Sequence, residues 1–502
     1  MFPMGSNKFK PIPNNIIYNI YAKCDEDSYR YLSGSPFLTP DRSKQNNDKT
    51  NCTFSIISPQ DEYKRKGTMH LVGYGSRRFK KLTWGLKFDK KFLGRSAIKL
   101  RAMANDPTHI REKLATELYK SVGVPVQEGT YARLFINGDT YGLYHMIDSF
   151  SKKWIKSYIH GDTTAKVGIS YKLYAHVPYY PDFKYIGEDY HDYALFYIPD
   201  EYEDEDFSLS DEPNMYKPVM EFIKLYDEWA KTPDQPIEKL EKFFNIELTL
   251  RFMVIDTLIL ALDNFSLRFS NTALYYIPER KEYILLPYDF DKVLNGFSGD
   301  EVLDEATYLS DCHTWTTQHE EIIDHSFTKT LLNHPEIKKR YDVILSITSQ
   351  EIFNKEKISE YVNAVANLIR QDMEWTHEKA SSLTIPYDGI VNQYTIDQFE
   401  GNIGYEPVGY YEGIVNNDAP WGIIQWVEVR GDYCRNSTDS VDTSNNDNIS
   451  DNDLEILINE NNQIENKDNI LETDDESNGI SMYIISFTLT IFTFLAVSIH
   501  FN

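Results

Sequence analysis

Over the first hundred residues apolar and polar positions alternate in short runs, as in IIYNIYA (16–22) and CTFSII (52–57). A period of two turns alternate side chains toward one face, so these runs predict β-strands with Ser, Pro and Asn turns between them. GTMHLVGYG (67–75), LTWGLKF (82–88) and AIKLRAM (97–103) extend the pattern. Then the period changes. Ile110, Leu114, Leu118 and Val122 recur at helical spacing, behind Asp106-Pro107 and ahead of Gly123. An acidic cap, an early proline and a closing glycine frame a helix there. YARLFING (131–138) and DTYGLYHMID (139–148) follow as a hairpin turning at Asn137-Gly138, a dipeptide suited to positive φ.

The second half reads differently. Residues 150–215 are rich in Tyr and Asp and irregular, as an insertion or lid would be. FFNIELTLRFMVIDTLILALDN (243–264) is long and mostly apolar, which predicts a buried helix, since Glu247, Arg251 and Asp256 speak against a membrane span. Two strands, TALYYIP (272–278) and YILLPYDFD (283–291), flank a turn at Glu279-Arg280-Lys281, and helices fill 320–385. The order strands, helix, hairpin, then helices predicts an α+β fold. The globular part is expected to end near Cys434.

Charge and the C-terminus refine this picture. The net charge of the 502-residue chain is -26, which excludes nucleic acid as the main partner, because such binders need a Lys/Arg footprint. Much of the excess lies in 439–478, where Lys467 is the single basic residue; such a run predicts a solvated, disordered spacer. Residues 480–501, ISMYIISFTLTIFTFLAVSIHF, contain no Asp, Glu, Lys or Arg. At ~1.5 Å per residue they would span about 30 Å, enough for a bilayer core. A retained tail helix and a GPI signal both remain open, with Ser477, Asn478 and Gly479 small enough for a cleavage site. No signal peptide is visible at the N-terminus. Four dispersed cysteines, Cys24, Cys52, Cys312 and Cys434, suit disulfides or reduced thiols alike.

Two stretches carry candidate chemistry. ALDNFSLRFSNTALYY (261–276) places Asp263 just past the apolar helix and Asn271 eight residues on; LLPYDFDK (285–292) places Asp289 and Asp291 after a strand. Phosphoryl transfer needs a carboxylate for the acceptor hydroxyl and Asp and Asn oxygens for Mg²⁺. An isolated DxD is also what a turn or helix cap looks like. In an extended chain, however, Asp289 and Asp291 share a face while Phe290 turns to the core. Gly73-Tyr74-Gly75-Ser76 reads as a phosphate-covering loop or a plain β-turn.

These motifs occur together in a known order. KLRAMANDPTHIREKLATELYKSVGVPVQEGTYARLFINGDTYGLYHMID (99–148), Asp263-Asn264 with NTALYY (271–276), PYDFD (287–291) and LLNHPEIKKRY (331–341) resemble the CotH kinase family over roughly residues 60–430. The resemblance implies a bilobal atypical protein-kinase-like fold, with a β-rich N-lobe and a helical C-lobe. It implies an ATP-dependent protein kinase that uses Mg²⁺ (or Mn²⁺) and phosphorylates Ser or other hydroxyls of secreted, coat or surface proteins. Asp263 would be catalytic, with Asn271, Asp289 and Asp291 on the metal. Lys81, or else Lys99, would hold the nucleotide phosphates, with Glu112 or Glu117 as its acidic partner and Gly73 and Gly75 over the phosphates. The alternative is a CotH-like adhesin or invasin that binds host-cell receptors with a degenerate kinase fold. The expected organisation is a β-rich segment (1–60), the kinase-like domain (61–434), the acidic linker (435–479) and the hydrophobic segment (480–501), which places the protein at the cell surface or on a secretory-pathway membrane. The Tyr288 position holds Trp in commoner members of the family.

Overall fold

The computed structural model describes residues 10–176, 179–208, 210–261, 264–294, 312, 325–380, 382–409 and 421–443. The expected linker beyond 443 and the hydrophobic segment 480–501 lie outside them. Among the described residues, no helix is long and apolar enough to cross a membrane.

Seven strands close into a barrel: β1 (Ile17–Cys24), β2 (Lys49–Ile57), β3 (Glu62–Leu71), β4 (Trp84–Phe92), β5 (Arg95–Arg101), β6 (Gly129–Ile136) and β7 (Asp139–Asp148), in the order β1-β2-β3-β4-β5-β7-β6. The alternation read from the sequence is the in–out alternation of the staves: Phe54 and Ile56 of β2, Leu86 of β4, and Ile98 and Leu100 of β5 are all fully buried in the barrel core. The barrel closes through a parallel pairing of β1 with β6, from Ile17↔Tyr131 to Ala22↔Ile136. β2 and β3 pair antiparallel from Lys49↔His70 to Ile57↔Glu62, so the boundary expected at residue 60 falls inside a continuous hairpin. Closure joins strands more than a hundred residues apart, which no local pattern encodes. The hairpin β6–β7 turns as read, with Asn137 at φ 50° and Gly138 at φ 94°.

Helices also form outside the segments read as helical, at Glu26–Gly34, Glu212–Ala230 and Ile423–Ser437. Residues Glu26–Gly34 form α1, started by Asp25, whose side chain accepts a hydrogen bond from the Ser28 N–H. The helix expected after Asp106-Pro107 begins at Arg111 and runs to Ser121 (α2). Asp106 acts ahead of it: its carboxylate accepts from the N–H of Thr108 (2.9 Å) and Arg111 (3.1 Å) and pairs with the Arg111 guanidinium at 2.9 Å. Gly123, at φ 76°, ends it.

A second sheet has four strands in the order β11-β10-β8-β9: β8 (Ile169–Leu173), β9 (Tyr197–Tyr202), β10 (Thr272–Ile277) and β11 (Glu282–Pro287). β8 and β9 come from the segment expected to be irregular. β8 pairs with the β10–β11 hairpin through Leu274↔Tyr171 and β9 pairs with β8, which supplies the order that their own sequence does not advertise. Helices α3 (Glu212–Ala230), α4 (Ile246–Ile259), α5 (Pro335–Glu351), α6 (Lys355–Ala380) and α7 (Ile423–Ser437) belong with this sheet to a second, larger core. α4 is the apolar segment 243–264. Twelve of its fourteen residues are buried, Glu247 and Arg251 being the two that reach outward. The fold is thus mixed α+β, with a β-rich N-terminal region followed mainly by helices.

All four cysteines are paired, Cys24 with Cys52 across β1 and β2, and Cys312 with Cys434. The structure decides what cysteine counting left open, and two disulfides are the signature of an oxidising compartment. The links close loops with sequence separations of 28 and 122 residues. Loop-closure entropy then makes the second the more stabilising, at ~5 against ~3.5 kcal/mol. Denaturant midpoints should therefore fall further for Cys434→Ala than for Cys52→Ala; the reverse order would show that unfolded-state entropy is not what these bridges act on.

Candidate functional site

The site forms where the last residue of β5 meets the start of α2 and the end of the β10–β11 hairpin. Arg101 is its centre. Its Nε lies 2.8 Å from Glu112 Oε1, and its Nη2 pairs with Asp289 Oδ1 and lies 4.0 Å from Asp291 Oδ1. Glu112 sits in the first turn of α2 and is almost wholly buried; its other oxygen, Oε2, is 3.1 Å from His145 Nδ1 on β7. Arg101 and His145 face one another in the β5–β7 register, so two strands of the barrel present both partners to one helix carboxylate.

Alternation along β5 sends Ile98 and Leu100 into the barrel and Lys99 and Arg101 out of it. Burial lowers the Lys99 ammonium to about 8; Lys172 and Arg101 push the same way, while Asp289 and Asp200 oppose them. Lys172 lies on β8 opposite Ala273 of β10 and pairs with Asp200 at 2.7 Å. Lys172, Arg101, Asp289 and Asp200 therefore all lie close enough to Lys99 to act on its charge.

The segment after β11 is shaped for this. Asp289 has φ 64°, so the chain is not extended there as the sequence reading assumed. The left-handed turn at Asp289 nevertheless leaves Phe290 buried, stacked on Tyr119 of α2 at 5.0 Å between ring centres, and leaves Asp289 and Asp291 half-exposed beside Arg101. Burial pushes the Asp289 carboxyl up, but Arg101, a hydrogen bond from Arg101 and the charge of Lys99 more than offset it, and the group ends below the usual carboxylate range.

The loop after α4 is drawn in by the backbone. Leu260, at φ 40°, ends the helix. Asn264 is buried (1% exposed) and donates from Nδ2 to the Tyr288 carbonyl at 3.1 Å, while its Oδ1 has no hydrogen-bond partner. Burial also bars Asn264 from serving as the glycan acceptor its sequon suggests. Asn271, at φ 45°, accepts from the Tyr288 N–H through its carbonyl at 3.0 Å. Asp256 of α4 fixes the loop from behind, accepting from the Ser266 N–H (3.0 Å) and the Tyr119 hydroxyl (3.3 Å). Burial pushes this carboxyl up to about 6, against those hydrogen bonds.

The structure therefore brings together Lys99, Glu112, Asn271, Asp289 and Asp291. It sends the others elsewhere. Lys81 donates to the Leu143 carbonyl at 2.5 Å and meets neither glutamate. Glu117 lies on the far side of α2 between Lys113 (3.3 Å) and Lys120 (3.5 Å). The Gly73–Ser76 loop turns back on itself: Gly73 has φ 79° and its carbonyl accepts from Arg77, which also reaches the carbonyls of Pro36 and Asn46. Asp263 lies outside the described residues. The partner of Glu112 is an arginine, where a lysine was expected. The last position of the strand is the one nearest the first turn of α2, and a guanidinium fork can hold two carboxylates at once. Period-two spacing from Lys99 was the signal that could have found it.

A sequence profile of the CotH kinase protein family matches residues 67–433. The chain belongs to that family. Family relatives include Spore coat protein homolog 1 of Rhizopus delemar, 25% identical over 77% of this chain and 59% of that protein. Invasin CotH2 of the same organism is 24% identical over 69% of this chain and 55% of its own length. The Inner spore coat protein H-like protein of Bacillus subtilis is 28% identical over 20% of this chain and 36% of that protein. The chain thus spans little more than half the length of the Rhizopus relatives. Among solved structures, a Helicobacter pylori proinflammatory kinase, CtkA, is 15% identical and aligns over 60% of this chain and 95% of its own, at a TM-score of 0.23, too slight a likeness to argue from.

Removing Arg101 leaves Glu112 buried without its cation, and the loss of one partner from a buried pair costs about 3–5 kcal/mol. Arg101→Met should destabilise by this order in urea titration. Asp289→Asn should cost much less at neutral pH, because Asp289 is half-exposed. The Asp289 carboxyl is depressed in the folded state, so its contribution is present above about pH 4 and is lost as pH falls through the folded value. The wild-type and Asp289→Asn stability curves should converge in acid; curves that stay parallel would remove the Arg101–Asp289 coupling.

Proposed function

We propose that the chain is an atypical kinase with a bilobal catalytic unit: the barrel and α2 form the N-lobe, the second sheet and its helices form the C-lobe, and the γ-phosphoryl group of ATP passes to a protein hydroxyl in the cleft between them. The observation that carries this reading is Arg101 joining the α2 carboxylate to the acid that follows β11. A cation held between a helix glutamate and a metal-side aspartate is the arrangement that phosphoryl transfer needs to order a nucleotide's phosphates.

The residues present fit a divalent ion. Among the described residues no three His, Cys, Asp or Glu converge as a ready-made cage. Mg²⁺ asks for less, binding through one or two carboxylates and filling its shell with phosphate oxygens and water. Asp289 and Asp291 offer neighbouring carboxylates, and Asn264, bonded to the Tyr288 carbonyl, carries a buried Oδ1 with no partner among the described residues. The ion's part is to neutralise charge on the phosphates. Lys99 and Arg101 donate to phosphate oxygens, and Lys172 adds positive charge from β8. Asp263, one residue before Asn264, takes the proton of the acceptor hydroxyl as that oxygen bonds to the γ-phosphorus and the bond to the bridging oxygen breaks. Asn271 sets the loop against Tyr288. Glu112 and His145 orient Arg101.

The spore-coat and invasin names of the relatives favour a place at the cell or spore surface and protein acceptors there, and the two disulfides support an oxidising route. The invasin names also favour a second reading, in which the same surface binds a host-cell receptor. The hydrophobic segment 480–501 would provide the membrane attachment, as a tail helix or GPI signal, beyond the acidic linker.

Transfer from labelled ATP separates these readings. Wild-type protein with Mg²⁺ should incorporate label, and Asp263→Ala and Asp289→Ala should each lose at least ~10²-fold; equal incorporation by all three would remove the enzyme reading. Binding gives an independent test. Lys99 titrates near 8 and must be protonated to attract phosphate. ATP affinity by calorimetry should therefore fall from pH 7 to pH 9 in the wild type and stay flat in Lys99→Met. An unchanged slope in the variant would assign the pH dependence to another group.

A further inference from the structure

Lys81 leads to a different place. Its side chain lines a cavity of about 30 Å³ together with Ala104 and His109 from the loop before α2, Thr376 and His377 from α6, and Tyr394 from the segment that follows. That is two to three times what one ordered water needs, ~10–15 Å³. The walls are pinned. Thr376 accepts from the Leu143 N–H at 2.9 Å, Asn392 donates to the Ala104 carbonyl at 2.9 Å, and Ile390 pairs with the 78–80 backbone in both directions at 2.9 Å.

The polar groups on its walls are incompletely satisfied: among the described residues His109 (4% exposed) has no partner for Nδ1, His377 none for Nε2, and Tyr394 (9% exposed) none for its hydroxyl. Buried polar groups left this way are destabilising unless something fills the space between them. No aspartate or glutamate lines the cavity. Asp106, the acid that acts on Tyr394, is ion-paired with Arg111, and His145, which acts on His109, faces Glu112. Three nitrogen bases thus share one cavity without an acidic residue on its walls among the described residues. None of the Asp289, Asp291, Lys99 and Arg101 set is on its walls.

We propose that this cavity is a binding site for one small oxyanion of the phosphate or sulfate type, separate from the phosphotransfer cleft. Lys81, when protonated, supplies a charge-assisted donor, and the imidazoles and the Tyr394 hydroxyl supply neutral ones, a set that suits an anion. Titration agrees with the geometry. Burial alone lowers the Lys81 ammonium to about 7; burial, then the charge of Lys81, lowers His377 to about 4; burial, then Lys81 and His377, holds His109 well below its usual value. A bound anion restores protons to these groups, so it binds more tightly as pH falls.

Calorimetry of the full chain with sodium sulfate, at constant ionic strength in chloride, tests this without ATP. Sulfate keeps its charge across the range, so any pH effect belongs to the protein. One saturable site is expected at pH 6, weakened at least tenfold by Lys81→Met and by His377→Leu, weakening again by pH 8, and unchanged in Asp289→Ala. Inorganic phosphate should compete. Circular dichroism melts show which variants fold, and His377→Gln replaces any that does not. Absence of saturable binding, equal affinity in the Lys81 and His377 variants, or displacement of sulfate by ATP that these same variants abolish would each overturn the proposal, the last by giving the cavity to the nucleotide. Failure of labelled-phosphate transfer leaves the sulfate result untouched.

Discussion

The guanidinium of Arg101 is the contact on which the arrangement of the candidate site depends. It holds the barrel, α2 and the segment after β11 to each other at once, through Glu112 on one side and Asp289 and Asp291 on the other. Glu112 is buried, and a buried carboxylate persists only with a paired charge and its remaining lone pairs satisfied. Arg101 supplies the charge and His145 the second contact. The position of α2 against the strand is thereby set by electrostatics as well as by the packing of Leu114 and Leu118 in the larger core.

Around that contact the fold divides its work. Apolar packing places the elements: Phe290 on Tyr119, and Tyr119 on Phe252 of α4. Backbone hydrogen bonds then bring loops to the elements, as Tyr288 does for Asn271 and Asn264. Left-handed residues at Leu260, Asn271 and Asp289 allow sharp turns at the three places where the chain enters or leaves the site. Non-glycine residues in that region carry strain of order 1 kcal/mol or more, and such strain gathers where the surrounding structure over-determines a functional geometry.

Much of the fold was legible. The pattern marked all seven barrel strands in whole or part, the Asn137-Gly138 turn was read correctly, and the apolar run 243–264 contains α4. α1 was missed because its Tyr, Ser and Arg positions carry little apolar periodicity, and its start depends on one Asp25 cap. β8 and β9 were missed because their order comes from pairing with a hairpin a hundred residues away. In the site, the DxD acids and Glu112 were found from residue type and family resemblance. Arg101 was passed over because the reading looked for a lysine, and Lys81 was chosen on strand position, which does not say where a four-carbon side chain ends.

Local order, composition and motif sequence belong to the chain itself: which runs become strands, where α2 stops, and which acids lie near one another along the chain. Those properties follow from short-range sterics, capping and period, all of which act within a few residues. The tertiary structure alone decided that β1 closes the barrel on β6, that four dispersed cysteines make two bridges, that Glu112 meets Arg101, and that Lys81 enters a cavity lined by histidines. Each of those depends on residues brought together over large sequence separations, where burial and charge pairing choose between partners that look equivalent in one dimension.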